Sequence, residues 1–193
     1  MMRTNYFFKH LIPVYRSFAK NGRVVAFDTE TTGLTEKDEV VQIAAIEYVN
    51  GKQTRTFTAY LRPSIPLNPE AGAVNGLTDD FLKENGEAPK EVLEKFVEFV
   101  GENCLLVAHN LPFDLRMIQQ GFKKYEVSGP GNKVLGCDTR NFVKEMNYPG
   151  IPSHHLRVCV DYFALDAKNS HEALDDADAC GKLFFKLVND EDK

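Results

Sequence analysis

Tryptophan, long apolar runs, closely spaced cysteines and a surplus of basic charge are all missing from this 193-residue chain. No stretch approaches the roughly 20 consecutive apolar residues that span a bilayer, so no membrane helix is expected. The four cysteines, Cys104, Cys137, Cys159 and Cys180, are spread along the second half. None lies close enough to another to open a zinc site or a redox motif, and a reducing, cytoplasmic setting is the simplest expectation. Acids outnumber bases, 28 Asp and Glu against 23 Lys and Arg, for a net charge of −5. Coating duplex nucleic acid through phosphate neutralisation needs the opposite balance. The first 27 residues, by contrast, contain no acid. They hold Arg3, Lys9, Arg16, Lys20 and Arg23, which leaves 18 basic against 28 acidic residues from Asp28 onward. Lys9, His10, Pro13 and Arg16 interrupt this segment before a secretory core of about seven apolar residues can form. An organelle presequence and an amphipathic lead-in packed on the domain both fit it.

What is present suits an α/β fold. At this length folding buries roughly 70% of the surface exposed by the unfolded chain, enough for a core without disulfides. Val24-Val25-Ala26-Phe27 is a continuous apolar run of the kind found in a strand buried on both faces. Residues Val40 to Val49 and Gln53 to Leu61 read as two further strands joined by Asn50-Gly51, a dipeptide suited to a tight hairpin. Pro63, Pro66 and Pro69 mark a loop. Ala88-Pro89 opens a helix with Val92, Leu93, Phe96, Val97 and Val100 at helical spacing, ending near Gly101. Leu105 to Ala108 reads as a strand, Pro112 to Gln120 as a helix closed by Gly121, and Val134 to Cys137 as a strand. Thr139 to Met146 follows as a helix, then a helix from an N-cap at Ser153 to about Phe163, and a last one over about Glu172 to Val188. The expectation is a mixed five-stranded sheet flanked by helices, with residues 1–22 a basic lead-in and 23–193 one domain.

Three acidic elements carry chemistry. Phe27-Asp28-Thr29-Glu30 ends the buried first strand, and alternation presents Asp28 and Glu30 on one face at its carboxyl end, where open α/β sheets place their sites. His109-Asn110-Leu111-Pro112-Phe113-Asp114 follows another buried strand and sets Asp114 in the first turn of a helix. His171-Glu172-Ala173-Leu174-Asp175-Asp176 opens the last helix. Its apolar stripe, Ala173, Ala177, Cys180, Phe184 and Leu187, faces the sheet; Asp176 borders that stripe, whereas Asp178 lies four residues before Lys182 in a solvated pair. An inward carboxylate is costly unless paired or metal-bound. Four of them without a nearby Lys or Arg point to hard divalent cations, two Mg²⁺ or Mn²⁺ ions about 3.5–4 Å apart clamping a phosphate. A histidine of near-neutral pKa suits the removal of a proton from the attacking water.

These three segments resemble, in order and spacing, the exonuclease motifs of the DEDDh family, which includes the epsilon proofreading subunit of bacterial DNA polymerase III, ribonuclease T and oligoribonuclease. The resemblance spans Val24 to Val188. It implies a ribonuclease H-like fold and removal of nucleoside 5′-monophosphates from the 3′ end of single-stranded DNA, or of RNA. It assigns metal binding to Asp28, Glu30, Asp114 and Asp176, and the general base to His171, five residues before Asp176. By the same resemblance Thr31, Gly33, Leu34, His109, Asn110 and Phe113 line the pocket for the terminal nucleotide, with Leu34 and Phe113 against its base or sugar. Many relatives carry His-Gly where this chain has Val74-Asn75-Gly76-Leu77-Thr78, so no direct catalytic role is expected of Asn75. The carboxyl-terminal segment by which the proofreading subunit holds its polymerase has no counterpart after Val188. That leaves a stand-alone enzyme, a homodimer, or a polymerase partner held through the basic amino-terminal segment. An RNA-specific exonuclease, and a non-catalytic nucleic-acid-binding or polymerase-docking module of the same fold, are the competing readings.

Overall fold

The apolar runs and the strand-helix alternation produce one five-stranded sheet with helices on both faces. The computed structural model of the chain describes residues 7–131, 133–168 and 172–190. Strand β1 (Arg23–Thr31) is central in the order β3-β2-β1-β4-β5. On one side β2 (Val40–Val49) and β3 (Lys52–Tyr60) run antiparallel; on the other, β4 (Leu105–Ala108) and β5 (Leu135–Asp138) run parallel. The β2–β3 turn holds Asn50 at φ 52° and Gly51 at φ 74°. Both are left-handed values that Asn-Gly adopts with little strain.

Alternation along β1 sorts its side chains into two cores. Val24 and Ala26 join an apolar cluster with Cys180, Phe184 and Leu187 of the last helix, α8 (Ala173–Val188). Val25 and Phe27 join a second with Phe96 of α4 (Pro89–Val100) and Leu115 and Ile118 of α5 (Leu111–Tyr125). Side chains such as Phe27, Phe184 and Ile43 are fully buried, each contributing about 1.5–3 kcal/mol through removal from water. The next residues of β1 inherit the same alternation: Asp28 and Glu30 face α8, and Thr29 faces α5.

From Phe7 onward the acid-free segment is built into this packing. Helix α1 (Ile12–Asn21) buries Tyr15 and Ala19, and Phe7 stacks on Phe142 of α6 (Thr139–Met146) with ring centroids 4.1 Å apart. Arg16 donates from Nε to the Val188 carbonyl at 2.6 Å, and Arg23 donates to Glu47 and to the carbonyls of Phe99 and Val100. Both arginines thus bind carbonyls at the carboxyl ends of helices, where positive charge is favoured.

Three local expectations are corrected. The stretch from Pro63 to Ala88 holds two short helices, α2 (Pro69–Asn75) and α3 (Asp79–Asn85), rather than loop alone. Each is too short to show an apolar period, but the caps are present: Asn68 accepts from the Glu70 N–H and Thr78 from the Phe81 N–H. Helix α5 continues through Gly121 to Tyr125. A Cβ at 121 would lie 3.1 Å from Leu93 Cδ1, so this glycine lets α4 and α5 approach rather than ending the helix. Helix α7 (Leu156–Tyr162) begins after His155, not Ser153, and has no side-chain cap. Among the described residues no helix is long and apolar enough to cross a membrane.

Candidate active site

At the carboxyl end of β1 the antiparallel register breaks between Glu30 and Thr31, just past the two carboxylates. Asp28 and Glu30 meet Asp176 from the first turn of α8, and each offers an oxygen within 4.8 Å of the others. Asp114, in the first turn of α5, approaches from the other side of β1 and accepts a hydrogen bond from the Thr29 hydroxyl at 2.7 Å. Asp114 and Asp176 are buried, 3% and 7% exposed. The alternation that separates Asp28 from Thr29 therefore serves both sides: the even positions supply carboxylates, and the odd position orients the carboxylate arriving from the opposite helix.

The electrostatics are those of crowded acids. Burial, then the charges of Asp114, Glu30 and Asp176, pushes the Asp28 carboxyl well above its ordinary range. Glu30 is pushed up to about 8 by burial and by Asp176 and Asp114, against a lowering hydrogen bond from Asn75. Asp114 rises to about 7, burial outweighing its bond from Thr29. Among the described residues no lysine or arginine forms an ion pair with Asp28, Glu30 or Asp114. A set of carboxylate oxygens crowded in this way fits a hard divalent cation. Asp178 lies outside this cluster and pairs with Lys182 at 2.7 Å, as the helical phase requires.

The expected nucleotide-pocket residues divide into two groups. Leu34 projects from the loop after β1 and is 75% exposed. Arg116 donates to its carbonyl at 3.1 Å and lies over the Phe113 ring at 5.3 Å, so Leu34, Phe113 and Arg116 form one mouth. Thr31 donates to the Gly33 carbonyl at 2.6 Å. A Cβ on Gly33 would come within 2.6 Å of Asp38, whose carboxylate accepts from Thr32 and Thr35 and organises this loop. These bonds, Thr35 foremost, hold the Asp38 carboxyl below its usual range. His109 turns inward instead. Its Nε2 donates to the His154 carbonyl at 2.8 Å, which leaves Nδ1 to accept from the Thr139 hydroxyl at 2.9 Å. Burial lowers its pKa to about 4, so the ring is neutral at pH 7 and both nitrogens are occupied by protein. Asn110 sits in the left-handed region at φ 87°, its N–H bonded to Asp138 at 3.1 Å. His171 lies outside the described residues.

Sequence reasoning passed over Thr29, Arg116 and the surroundings of Asn75. Thr29 was legible, since alternation sends it toward α5. Asn75 was not, because it reaches the site from a helix that shows no period. Its Oδ1 accepts from the Leu77 N–H at 3.0 Å, leaving the amide N–H to approach Glu30 and the Thr31 carbonyl. Gln42, opposite Glu30 on β2, donates to Glu172 at 3.1 Å and ties the start of α8 to the sheet.

The exonuclease family model RNase_T matches residues 25–184. The PolC-type DNA polymerase III of Halalkalibacterium halodurans is 34% identical over 167 residues, a stretch covering 86% of this chain and 11% of that protein. The chain therefore spans about a ninth of the length of the curated relatives it matches. Among solved structures, Escherichia coli exonuclease I in complex with a dT13 oligonucleotide aligns with a TM-score of 0.77 at 20% identity, covering 87% of this chain and 41% of that one. Exonuclease X in complex with 5′-overhanging duplex DNA aligns with a TM-score of 0.67 at 22% identity, covering 89% and 93%.

Proposed function

The chain belongs to the RNase_T exonuclease family, and from that premise we propose that it is a metal-dependent 3′→5′ exonuclease acting on single-stranded DNA ends and releasing nucleoside 5′-monophosphates. One observation carries the reading: carboxylates from β1, α5 and α8 converge, each of Asp28, Glu30 and Asp176 offering an oxygen within 4.8 Å of the others and Asp114 reaching Asp28 from the opposite side. Asp28, Glu30, Asp114 and Asp176 would hold two Mg²⁺ or Mn²⁺ ions. When bound, the cations neutralise these carboxylates and polarise the scissile phosphate.

The chain's own groups do the rest. Thr29 fixes one Asp114 oxygen, and Asn75 steadies Glu30, so the carboxylates are oriented before substrate arrives. Leu34 and Phe113 take the terminal base and sugar by apolar contact and stacking, which tolerates any base. His171 accepts a proton from the attacking water as its oxygen bonds to phosphorus. The bond from phosphorus to the 3′ oxygen of the preceding nucleotide breaks, and that oxygen is protonated to a new 3′-hydroxyl. DNA is preferred over RNA in this reading because the relatives are DNA polymerases by name and exonuclease I was solved with dT13. Those relatives also suggest a proofreading role beside a polymerase.

Matched 3′-labelled DNA and RNA oligonucleotides, incubated with Mg²⁺ and with EDTA, test the proposal. Mononucleotide release from DNA in Mg²⁺ only is expected. No release, or an Asp28→Ala variant as active as wild type, would sink it. Faster release from RNA would move the assignment to an exoribonuclease.

A further inference from the structure

Arg16 and Arg23 are bound to helix carbonyls, so the question is how so acidic a chain holds a polyanion beyond its last nucleotide. A cavity of about 320 Å³ opens at the entry to α5, the helix that carries Asp114, and is lined by Arg140, Asn141 and Lys144 of α6, by His154, and by Asn110 and Pro112. Arg140 and Lys144 are four residues apart and share a helix face. Among the described residues neither forms an ion pair. The carboxylate in the lining, Asp138, is occupied: its Oδ1 accepts the N–H groups of Asn110 at 3.1 Å, Arg140 at 3.0 Å and Asn141 at 3.4 Å. Arg140 and the imidazoles of His154 and His155 also stand near enough to His109 to act on it electrostatically. Cations and neutral donors thus converge on one open space at the start of the helix that carries Asp114.

The cavity and the carboxylates are mechanically joined. The Asn110 backbone is fixed by Asp138, and Asp114 follows four residues later, about 6 Å along the helix axis at 1.5 Å per residue. A strand whose terminal phosphate reaches the carboxylates would leave past Asn110, where Arg140 and Lys144 stand. We propose that this cavity seats the phosphodiester backbone of the substrate strand on the 5′ side of the bond that is cut, with Arg140 and Lys144 as the residues that distinguish an oligonucleotide from a lone nucleotide. The inference rests on the exonuclease reading above and extends it to a second set of contacts.

The test compares two substrates, a single-stranded DNA decamer and thymidine 5′-(p-nitrophenyl) phosphate, which occupies the terminal site alone. In the double variant Arg140→Gln/Lys144→Gln, KM for the decamer should rise about tenfold while turnover of the ester stays within about twofold of wild type. The salt dependence of decamer binding, read by fluorescence anisotropy in EDTA, should flatten by about 1.4 in log–log slope, for two phosphate contacts at about 0.7 each. Lys83→Gln/Lys90→Gln on α3 and α4, an equal loss of charge elsewhere, should change neither. Parallel changes on both substrates, an unchanged decamer KM, or an equal effect of Lys83→Gln/Lys90→Gln would overturn the proposal. If the wild type hydrolyses neither substrate, the exonuclease reading falls. The anisotropy series then decides the cavity separately, an unchanged slope in the double variant refuting it.

Discussion

Withdrawing divalent cations and raising the pH should destabilise this protein, the reverse of what a salt-bridged carboxylate does. Burial holds the Asp114 carboxyl up from 3.8 to about 7, and burial with Asp176 and Asp114 holds Glu30 up from 4.5 to about 8. In the unfolded chain both ionise near pH 4. The metal-free fold therefore keeps protons that the unfolded chain has released. Its advantage is complete below about pH 4 and is lost as the pH rises through 7 and 8. For Asp114 alone, the gap between 3.8 and about 7 corresponds to on the order of 4 kcal/mol. A domain of this size moves its melting temperature about 2–4 °C per kcal/mol. About two pH units of that gap lie above pH 5, on the order of 3 kcal/mol, so in EDTA wild type should lose roughly 5–11 °C more between pH 5 and 8.5 than Asp114→Asn, which has no proton to give up. Millimolar Mg²⁺ should restore wild type at pH 8.5 and leave the variant nearly unmoved. Thermal unfolding followed by circular dichroism reads all four curves. A metal-free melting temperature that is flat or rises with pH, or wild-type and variant curves that run parallel, would refute the reasoning.

Other expectations follow from single contacts. Glu47, 4% exposed, accepts from Arg23, Arg55 and Thr54, and these bonds hold its pKa near 2. Glu47→Ala leaves Arg23 only its helix carbonyls and removes the carboxylate that Arg55 and Thr54 also bond, and should cost about 1–3 kcal/mol in urea denaturation; a loss below about 0.5 kcal/mol would contradict the packing described. Gly181 of α8 lies against Tyr48, where a new Cβ would be 2.6 Å from the phenol oxygen. Gly181→Ala should therefore destabilise by about 1–3 kcal/mol despite alanine's better helix propensity. Among the described residues the Tyr48 hydroxyl has no hydrogen-bond partner, so Tyr48→Phe should be nearly neutral alone and should recover part of that loss in the double variant. Arg116→Ala should loosen the Leu34–Phe113 mouth and raise KM several-fold at nearly unchanged kcat, measured on short oligonucleotides.

The elements with strong periodicity or runs were legible from the amino acids: the buried β1 and β4, the Asn50-Gly51 hairpin, the amphipathic α4 and α8. The same phase argument that singled out Asp176 over Asp178 holds, because the sheet face of α8 is apolar everywhere else and the carboxylate takes the border of that stripe. Short helices escaped because seven residues make barely two turns, too few for a period to show. Gly121 misled because the residue that ends helices also permits their close contact, and only the position of Leu93 separates the two uses. His109 is the instructive case at the site. Its neighbourhood in the chain suggests a ring facing substrate, while its partners, Thr139 and the His154 carbonyl, come from segments 30 and 45 residues away that no local pattern connects to it. The basic cavity was hidden for the same reason: Arg140, Lys144 and His154 form no run in the chain.

The central claim is that the carboxylate cluster cuts single-stranded DNA from its 3′ end with divalent cations. A 5′-labelled single-stranded oligonucleotide, sampled over time in Mg²⁺ and resolved at single-nucleotide steps, tests it most directly. Wild type should produce a ladder that shortens one nucleotide at a time from the 3′ end, and Asp28→Asn should leave the oligonucleotide intact over the same period. An intact oligonucleotide with wild type, internal cuts in place of a ladder, or an equal ladder from Asp28→Asn would contradict the account.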